Sequence, residues 1–142
     1  MKPYCVTVVK YVLPAMRVLI MKELMEKHGL RKIEVAERMS VSPAAITQYS
    51  KGIRGSLHVK EISNSEEIMK KISKLSETMI DDETDFESIM DSMCEVCRLI
   101  RSEKLVCKLH SDEFYEPILD DCTICLENEK ESLNNRSSEN NG

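Results

Sequence analysis

Cysteine thiols are the side chains of this chain best suited to chemistry, and five of the six lie between positions 94 and 125. Their spacing is Cys94-x2-Cys97-x9-Cys107-x14-Cys122-x2-Cys125, and Cys5 stands apart near the N-terminus. Thiolates select soft cations, so two Cys-x2-Cys pairs with a further cysteine between them indicate zinc or iron–sulfur ligation. A lone cysteine is commonly a small buried apolar residue, but five clustered cysteines are poorly explained that way. We therefore predict a metal site formed by these five residues.

The choice between zinc and a cluster depends on how many thiols are used. A structural zinc would take the two Cys-x2-Cys pairs and leave Cys107 and His110 without a role. The interval between the pairs also exceeds the spacing of roughly 15–20 residues usual for zinc ribbons. A cubane cluster likewise takes four thiolates, and a fifth cysteine would be spare for exchange. We favour a [4Fe-4S] cluster, with Zn²⁺ as the alternative.

Catalytic motifs are missing from the sequence. There is no P-loop, no glycine-rich dinucleotide motif, and none of the three histidines lies in a nucleophile or metalloprotease motif. A redox site using Cys122 and Cys125 would be expected at a strand–helix junction in a βαβ unit, a pattern that this chain does not show. We therefore predict that the protein is not an enzyme.

A second set of residues could read DNA, and it lies in the stretch 32–51. Val35, Ala36 and Met39 give one helix an apolar face, and Ile46 and Tyr49 do the same for the next. Between them, a serine followed by a proline at 42–43 is a typical helix start, with a capping hydroxyl and a proline in the first turn. The pattern predicts a helix-turn-helix, whose second helix enters the major groove. An ordinary helical hairpin inside a bundle is the alternative.

The face left over on the second helix favours DNA. We expect it to expose short or hydrogen-bonding side chains with no acid among them: Ser42, Ala44, Ala45, Thr47, Gln48 and Lys51. Gln48 has the geometry to pair with an adenine edge, and the methyl groups of the smaller residues suit a thymine methyl. The following Gly52-Ile53-Arg54-Gly55 loop places a cation beside this helix. Arg54 would either bind a phosphate, which we favour, or pair with Glu61.

These segments also carry a family resemblance. VLPAMR at 12–17, GL at 29–30, VA at 35–36, VSPAAITQY at 41–49 and GIRG at 52–55 resemble archaeal lambda-repressor-like (XRE-type) transcriptional regulators. The resemblance covers about residues 1–60. It implies an all-helical domain that binds a near-palindromic operator in double-stranded DNA as a homodimer, and members often have a cysteine-containing C-terminal region. This chain departs from the pattern at Ser40, where glycine is common in the turn.

Charge is distributed unevenly along the chain. Residues 1–60 contain 11 lysines and arginines against 4 acids, whereas residues 61–142 contain 9 against 21, so a net charge of −5 conceals a basic N-terminal part. A basic patch is expected where phosphates are bound. The uneven charge therefore supports DNA contact by the N-terminal part of the chain.

We predict an all-α chain in four parts. These are a helix-turn-helix DNA-binding domain at 1–60, a connecting or dimerisation helix at 61–84, a helical cysteine-rich module at 85–126 and a disordered tail at 127–142. Segment 4–13 stays ambiguous, because its β-branched residues favour a strand and the resemblance implies a helix. The stripe formed by Ile68, Ile72, Leu75 and Met79 serves either packing on the first domain or dimerisation.

The helix before the helix-turn-helix is predicted to run from Pro14 to about His28, where Gly29 ends it. Its buried residues are expected to be Ala15, Val18, Leu19, Leu24 and Met25, and its exposed residues Lys22, Glu23 and Glu26.

No stretch is long and apolar enough to cross a membrane, and the apolar start of the chain lacks the features of a signal peptide. We expect a cytoplasmic, iron- or redox-sensing DNA-binding regulator with no membrane partner. A zinc-stapled adaptor that contacts protein through the same scaffold is the alternative.

Overall fold

A computed structural model describes residues 4–107, and every regular element in that range is helical. The elements are α1 (Tyr4–Thr7), a π-helical segment (Val8–Val12), α2 (Leu13–Glu26), α3 (Lys32–Met39), α4 (Pro43–Ser50), α5 (Val59–Ser63), α6 (Glu66–Ile80) and α7 (Phe86–Ser102). The chain is helical again at 105–107. The predicted all-α class is therefore confirmed for the described residues. The remainder of the predicted cysteine-rich module and the predicted tail lie outside them.

A proline inside the first helix explains its π-helical turn. The chain is helical without a break from residue 4 to residue 26, so the ambiguous segment is helical and the helix passes through Pro14 instead of starting there. Pro14 has no N–H to donate, and its ring would clash with the carbonyl four residues earlier in a regular α-helix. The wider turn relieves this clash, and the N–H of Leu13 donates to the carbonyl of Val8, five residues back.

α2 is the central helix of the fold and packs against α3, α4, α5 and α6. Eight of its fourteen residues are buried, which accounts for an apolar sequence that extends around most of the helix. The expected burial of Ala15, Val18, Leu19 and Leu24 is confirmed, whereas Met25 is only half-buried. The core therefore forms around α2, which packs against each of four other helices.

The prediction that Glu23 is exposed is wrong, because the residue is only 7% exposed. Its carboxylate accepts a hydrogen bond from the Ser73 hydroxyl at 3.1 Å and lies 2.9 Å from the ammonium group of Lys27. Lys27 also donates to Ser73 at 3.3 Å. A buried carboxylate is tolerated when it is paired and hydrogen-bonded, and here the polar group joins α2 to α6. Helical periodicity could not reveal a partner on a helix so distant in the sequence.

α3 and α4 are two short helices that pack against each other and are joined by a tight turn. Ser40 ends α3 in the left-handed region with φ 54°, the conformation for which glycine is usual at this position. The next N–H, that of Val41, donates to the carbonyl of Ala36 at 3.0 Å and closes the turn. Ser42 caps α4 through a 3.1 Å hydrogen bond from the N–H of Ala45, as predicted. Ile46 and Tyr49 then bury the inner face of α4.

α6 and α7 form an antiparallel helical pair joined by the acidic turn 81–85. Ser65, which caps the start of α6, donates from its hydroxyl to Glu103, just beyond the end of α7, at 2.8 Å. Lys71 and Glu95 face each other across the pair, with nitrogen and oxygen 3.7 Å apart. So short a turn makes consecutive helices antiparallel neighbours.

The packing of this pair distinguishes between the two roles predicted for the apolar stripe of α6. The predicted stripe of Ile68, Ile72, Leu75 and Met79 is at most 4% exposed and packs inside the chain, because α6 contacts both α2 and α7. That face is thus used for packing and is closed to a dimer partner. Val96, Ile100 and Val106 belong to the same core cluster as the α2 residues. Within the described residues, the predicted boundary at residue 85 therefore does not separate two cores.

Candidate nucleic-acid interface

The outer face of α4 carries most of the residues predicted to contact DNA. Ser42, Ala44 and Lys51 are exposed, and Thr47 and Gln48 are half-buried with part of their surface open. Ala45 is the exception: it is only 8% exposed and belongs to the core, so its methyl group cannot reach a base. The reason lies in the helix period, since Ala45 and Tyr49 are four residues apart and lie on the same side of α4, where both are buried.

The loop after α4 is held against the end of that helix. The carbonyl of Gln48 accepts hydrogen bonds from the N–H of Ile53 at 3.0 Å and from that of Arg54 at 3.3 Å. Gly55 follows with φ +71°, and a Cβ atom there would lie 2.6 Å from the Pro14 carbonyl oxygen. Only glycine permits such a close approach of the loop to α2. The exposed side chain of Arg54 is thereby held near the end of α4.

The segment that contains α4 and the loop after it has no acidic residue of its own. Residues 41–60 contain no Asp or Glu, although the chain has 25 of them. We call residues 41–60 the acid-free segment. On the preceding helix, Glu34 belongs to the capping box of α3 and accepts a 2.8 Å hydrogen bond from the N–H of Arg31. That bond, with added attraction from the Arg31 guanidinium, lowers the pKa of Glu34 and keeps it ionised and locally paired.

Two cations that the sequence analysis did not single out complete the basic surface. Lys10 and Arg17 line the same cleft as Arg54, although they are far from it along the chain. No local spacing pattern connects them. The signal available in the sequence was the basic balance of the N-terminal part, which does not say which cations meet.

The predicted metal ligands fall partly within the described structure. Cys94 is exposed on α7, and Cys97, one turn further, is half-buried. Cys107 is also half-buried, at the end of the described range. Cys122 and Cys125 lie outside that range, as does His110, and nothing is described of the Cys5 side chain.

Among residues 4–107, no three histidine, cysteine or acidic side chains are grouped closely enough to hold a metal ion. The described part therefore contributes at most two neighbouring thiols, Cys94 and Cys97, whose i, i+3 spacing places them on one side of α7. Their chemistry fits a soft cation or cluster completed by other thiols.

None of the described helices is long and apolar enough to cross a bilayer.

Comparison with known proteins gives no relative to this chain: no protein-family description, curated protein or solved structure matches it.

Proposed function

We propose that this protein is a DNA-binding transcriptional regulator that binds operator DNA as a homodimer and senses iron or redox state through a cysteine-ligated [4Fe-4S] cluster. The observation that carries the proposal is the outer face of α4, which is open, free of acids and flanked by the exposed cations Lys51 and Arg54. A carboxylate on this face would repel phosphate, whereas the residues present donate hydrogen bonds or offer methyl groups.

In this proposal α4 lies in the major groove, and the residues of α4 and of the loop after it have two roles. Gln48, Thr47 and Ala44 face the base edges, and Gln48 suits bidentate pairing with adenine. Lys51 and Arg54 bind phosphates and fix the position of the helix on the duplex. The hydroxyl of Ser42 accepts from the Ala45 N–H, and its proton stays available to a phosphate oxygen.

Fluorescence anisotropy with labelled duplex DNA at several salt concentrations tests the phosphate contacts. Lys51→Gln and Arg54→Gln should each weaken binding to all sequences alike and reduce the salt slope by about one. Lys70→Gln is the matched control, because Lys70 is an exposed lysine on α6, outside the acid-free segment. Binding that does not depend on salt, or equal losses from the control, would contradict the proposal.

Selection of preferred sequences from a random duplex pool tests base readout. Gln48→Ala should relax the preference at one position, with a loss of discrimination of about 1–3 kcal/mol. Its affinity for non-specific DNA should stay unchanged, because Gln48 is proposed to contact a base and not the backbone. A variant that selects the same sequences as the wild-type protein would exclude this role.

The sensing half of the proposal rests on where α7 is packed. Cys94 and Cys97 would hold the cluster together with Cys122 and Cys125, and Cys107, which is not grouped with both of the first two thiols in the described structure, would be the spare thiol. The cluster would supply a redox-active, iron-dependent centre at this end of the chain. α7 packs on α6, α6 on α2, and α2 on both α3 and α4, so a change at α7 has a continuous packed route to the DNA-facing helices.

Anaerobic purification followed by absorption spectroscopy and elemental analysis tests the cluster. Cys97→Ser should abolish iron and sulfide binding, and Cys5→Ser, the control, should leave both unchanged. A colourless protein with one zinc per chain would replace the cluster by the structural zinc of the alternative.

One observation favours a second candidate, a protein-interaction adaptor that uses the same scaffold. Ile53 and Leu57, in the loop after α4, are 69% and 63% exposed, and large apolar side chains in the open are typical of protein contacts. The anisotropy experiment separates the two, since an adaptor would show no salt-dependent DNA binding.

A further inference from the structure

A cleft of about 560 Å³ lies between the N-terminal helix and the loop that follows α4. Its basic lining consists of Lys10 and Arg17 from one side and Arg54 from the other. Its volume falls in the range of roughly 300–1,000 Å³ typical of small-molecule sites. No spacing pattern in the sequence connects the two segments that line the cleft, and the cleft is distinct from the outer face of α4.

The charge of the cleft selects an anion. Among the described residues, three cations line it and no carboxylate does, so a bound anion meets attraction from two sides. The two guanidinium groups can each bind two oxygen atoms of a phosphate with a planar fork. Tyr11 and Ser56 add hydroxyl groups that can donate to further oxygens.

The apolar part of the lining indicates more than a bare phosphate. Tyr11, Pro14, Tyr49, Ile53 and Leu57 contribute apolar or aromatic surface, so half of the lining residues are of this kind. Such a mixture suits a molecule with an organic body and a charged group. A DNA backbone phosphate has no apolar group that would pack against the apolar side of the cleft, and duplex contacts are made chiefly by polar and charged groups.

We propose that this cleft binds a phosphorylated small molecule, with the phosphate held by Arg17, Arg54 and Lys10. The loop that carries Arg54 is fixed to the end of α4 by the carbonyl of Gln48. A ligand that engages Arg54 in the cleft removes it from the DNA backbone, so the ligand and DNA compete. The binding itself stands on the cleft, whereas the competition rests on the proposed DNA-binding function.

Isothermal titration calorimetry of the full-length protein with pyrophosphate tests the binding, at constant ionic strength set with sodium chloride. We expect saturable binding of one pyrophosphate per chain, and binding at least about tenfold weaker in Arg17→Gln, because a hydrogen-bonded charge is lost. Lys22→Gln is the matched control, since Lys22 is exposed on the same helix and does not line the cleft. Citrate should bind at least about tenfold more weakly than pyrophosphate, since the site is proposed for phosphate.

The outcomes separate this proposal from the DNA-binding one. The cleft is not a phosphate site if pyrophosphate does not saturate the protein, if citrate binds equally well, or if Arg17→Gln and Lys22→Gln bind pyrophosphate alike. If Arg17→Gln weakens DNA binding as strongly as Arg54→Gln while pyrophosphate does not bind, the cleft belongs to the DNA surface and the proposal is overturned. Pyrophosphate binding in a protein that does not bind DNA would support the cleft and defeat only the competition.

Discussion

The acid-free segment and the α6–α7 pair share a core with α2, yet they differ in helix length and in charge. In the acid-free segment, α4 has eight residues, and its outer face consists of small or neutral polar groups. The α6–α7 pair has helices of 15 and 17 residues with a continuous apolar stripe on α6. Residues 66–102 hold ten acids and five bases, whereas the acid-free segment holds three bases and no acid.

The difference shows how one small core supports two kinds of surface. Long amphipathic helices bury much apolar area and stabilise the fold, and their charged side chains lie on the outer faces. The short α4 is held by the Ser42 cap, by a tight loop and by the buried side chains of Ile46 and Tyr49, so the rest of its outer face contributes little to the core. Mutations in the two regions should therefore differ in whether they affect stability, DNA binding or both.

The largest expected effect is on stability, from Leu75→Ala in α6. Leu75 is 1% exposed in the shared core, so removing its side chain should cost about 2–5 kcal/mol. Urea unfolding followed by circular dichroism measures it. Ile46→Ala in α4 is the matched change in the other region, and each variant should unfold in one transition, because the core is shared. Two separate transitions would show that the pair folds as its own module.

Glycine substitutions sharpen the comparison within the loop. Gly52 and Gly55 have similar positive φ values, +73° and +71°, but a Cβ atom meets nothing within 4 Å at Gly52 and meets Pro14 and Val18 at Gly55. Gly52→Ala should cost about 1 kcal/mol of backbone strain, and Gly55→Ala about 1–3 kcal/mol more through the clash with α2. Equal losses in thermal denaturation would mean that the loop can move away from α2 freely.

Removing the two serine caps separates stability from binding. Ser42→Ala on α4 and Ser65→Ala on α6 each remove the acceptor of a hydrogen bond from a helix N–H, which should cost about 1 kcal/mol, and Ser65→Ala also removes the hydrogen bond to Glu103. Under conditions where both variants are fully folded, only Ser42→Ala should weaken DNA binding in the anisotropy assay. Equal weakening by Ser65→Ala would remove the distinction between the two regions.

The smallest effect is a dependence on pH at the start of α7. Hydrogen bonds from Ser88, from its hydroxyl and from its N–H at 2.7 Å, lower the pKa of Asp85 below its ordinary value. A carboxyl whose pKa is lower in the folded state stabilises the fold above its unfolded pKa, and this stabilisation is lost as the pH falls through the folded pKa. Asp85→Asn keeps a good cap and should reduce the decline of the urea midpoint below about pH 4. An unchanged pH profile would assign the decline to other acids.

Local sequence was sufficient for the start of α4 and for the apolar stripe of α6. Ser42 with Pro43 predicted a capped helix start, and the period of Ile68, Ile72, Leu75 and Met79 predicted an apolar helix face, because capping and amphipathic burial are decided within a few residues. The same reasoning placed Ala45 on the outer face and Glu23 in solvent, and both are buried. A position at the edge of an apolar face is decided by the neighbour that packs there.

For the candidate interface, the amino-acid sequence by itself determined the absence of acids from 41–60 and the capped start of α4. Only the tertiary structure decided that α7 joins the common core and that Lys10, Arg17 and Arg54 line one cleft. The physical reason is that charge and helical period are properties of neighbouring residues, whereas contacts between distant parts of the chain follow from how the helices pack on α2.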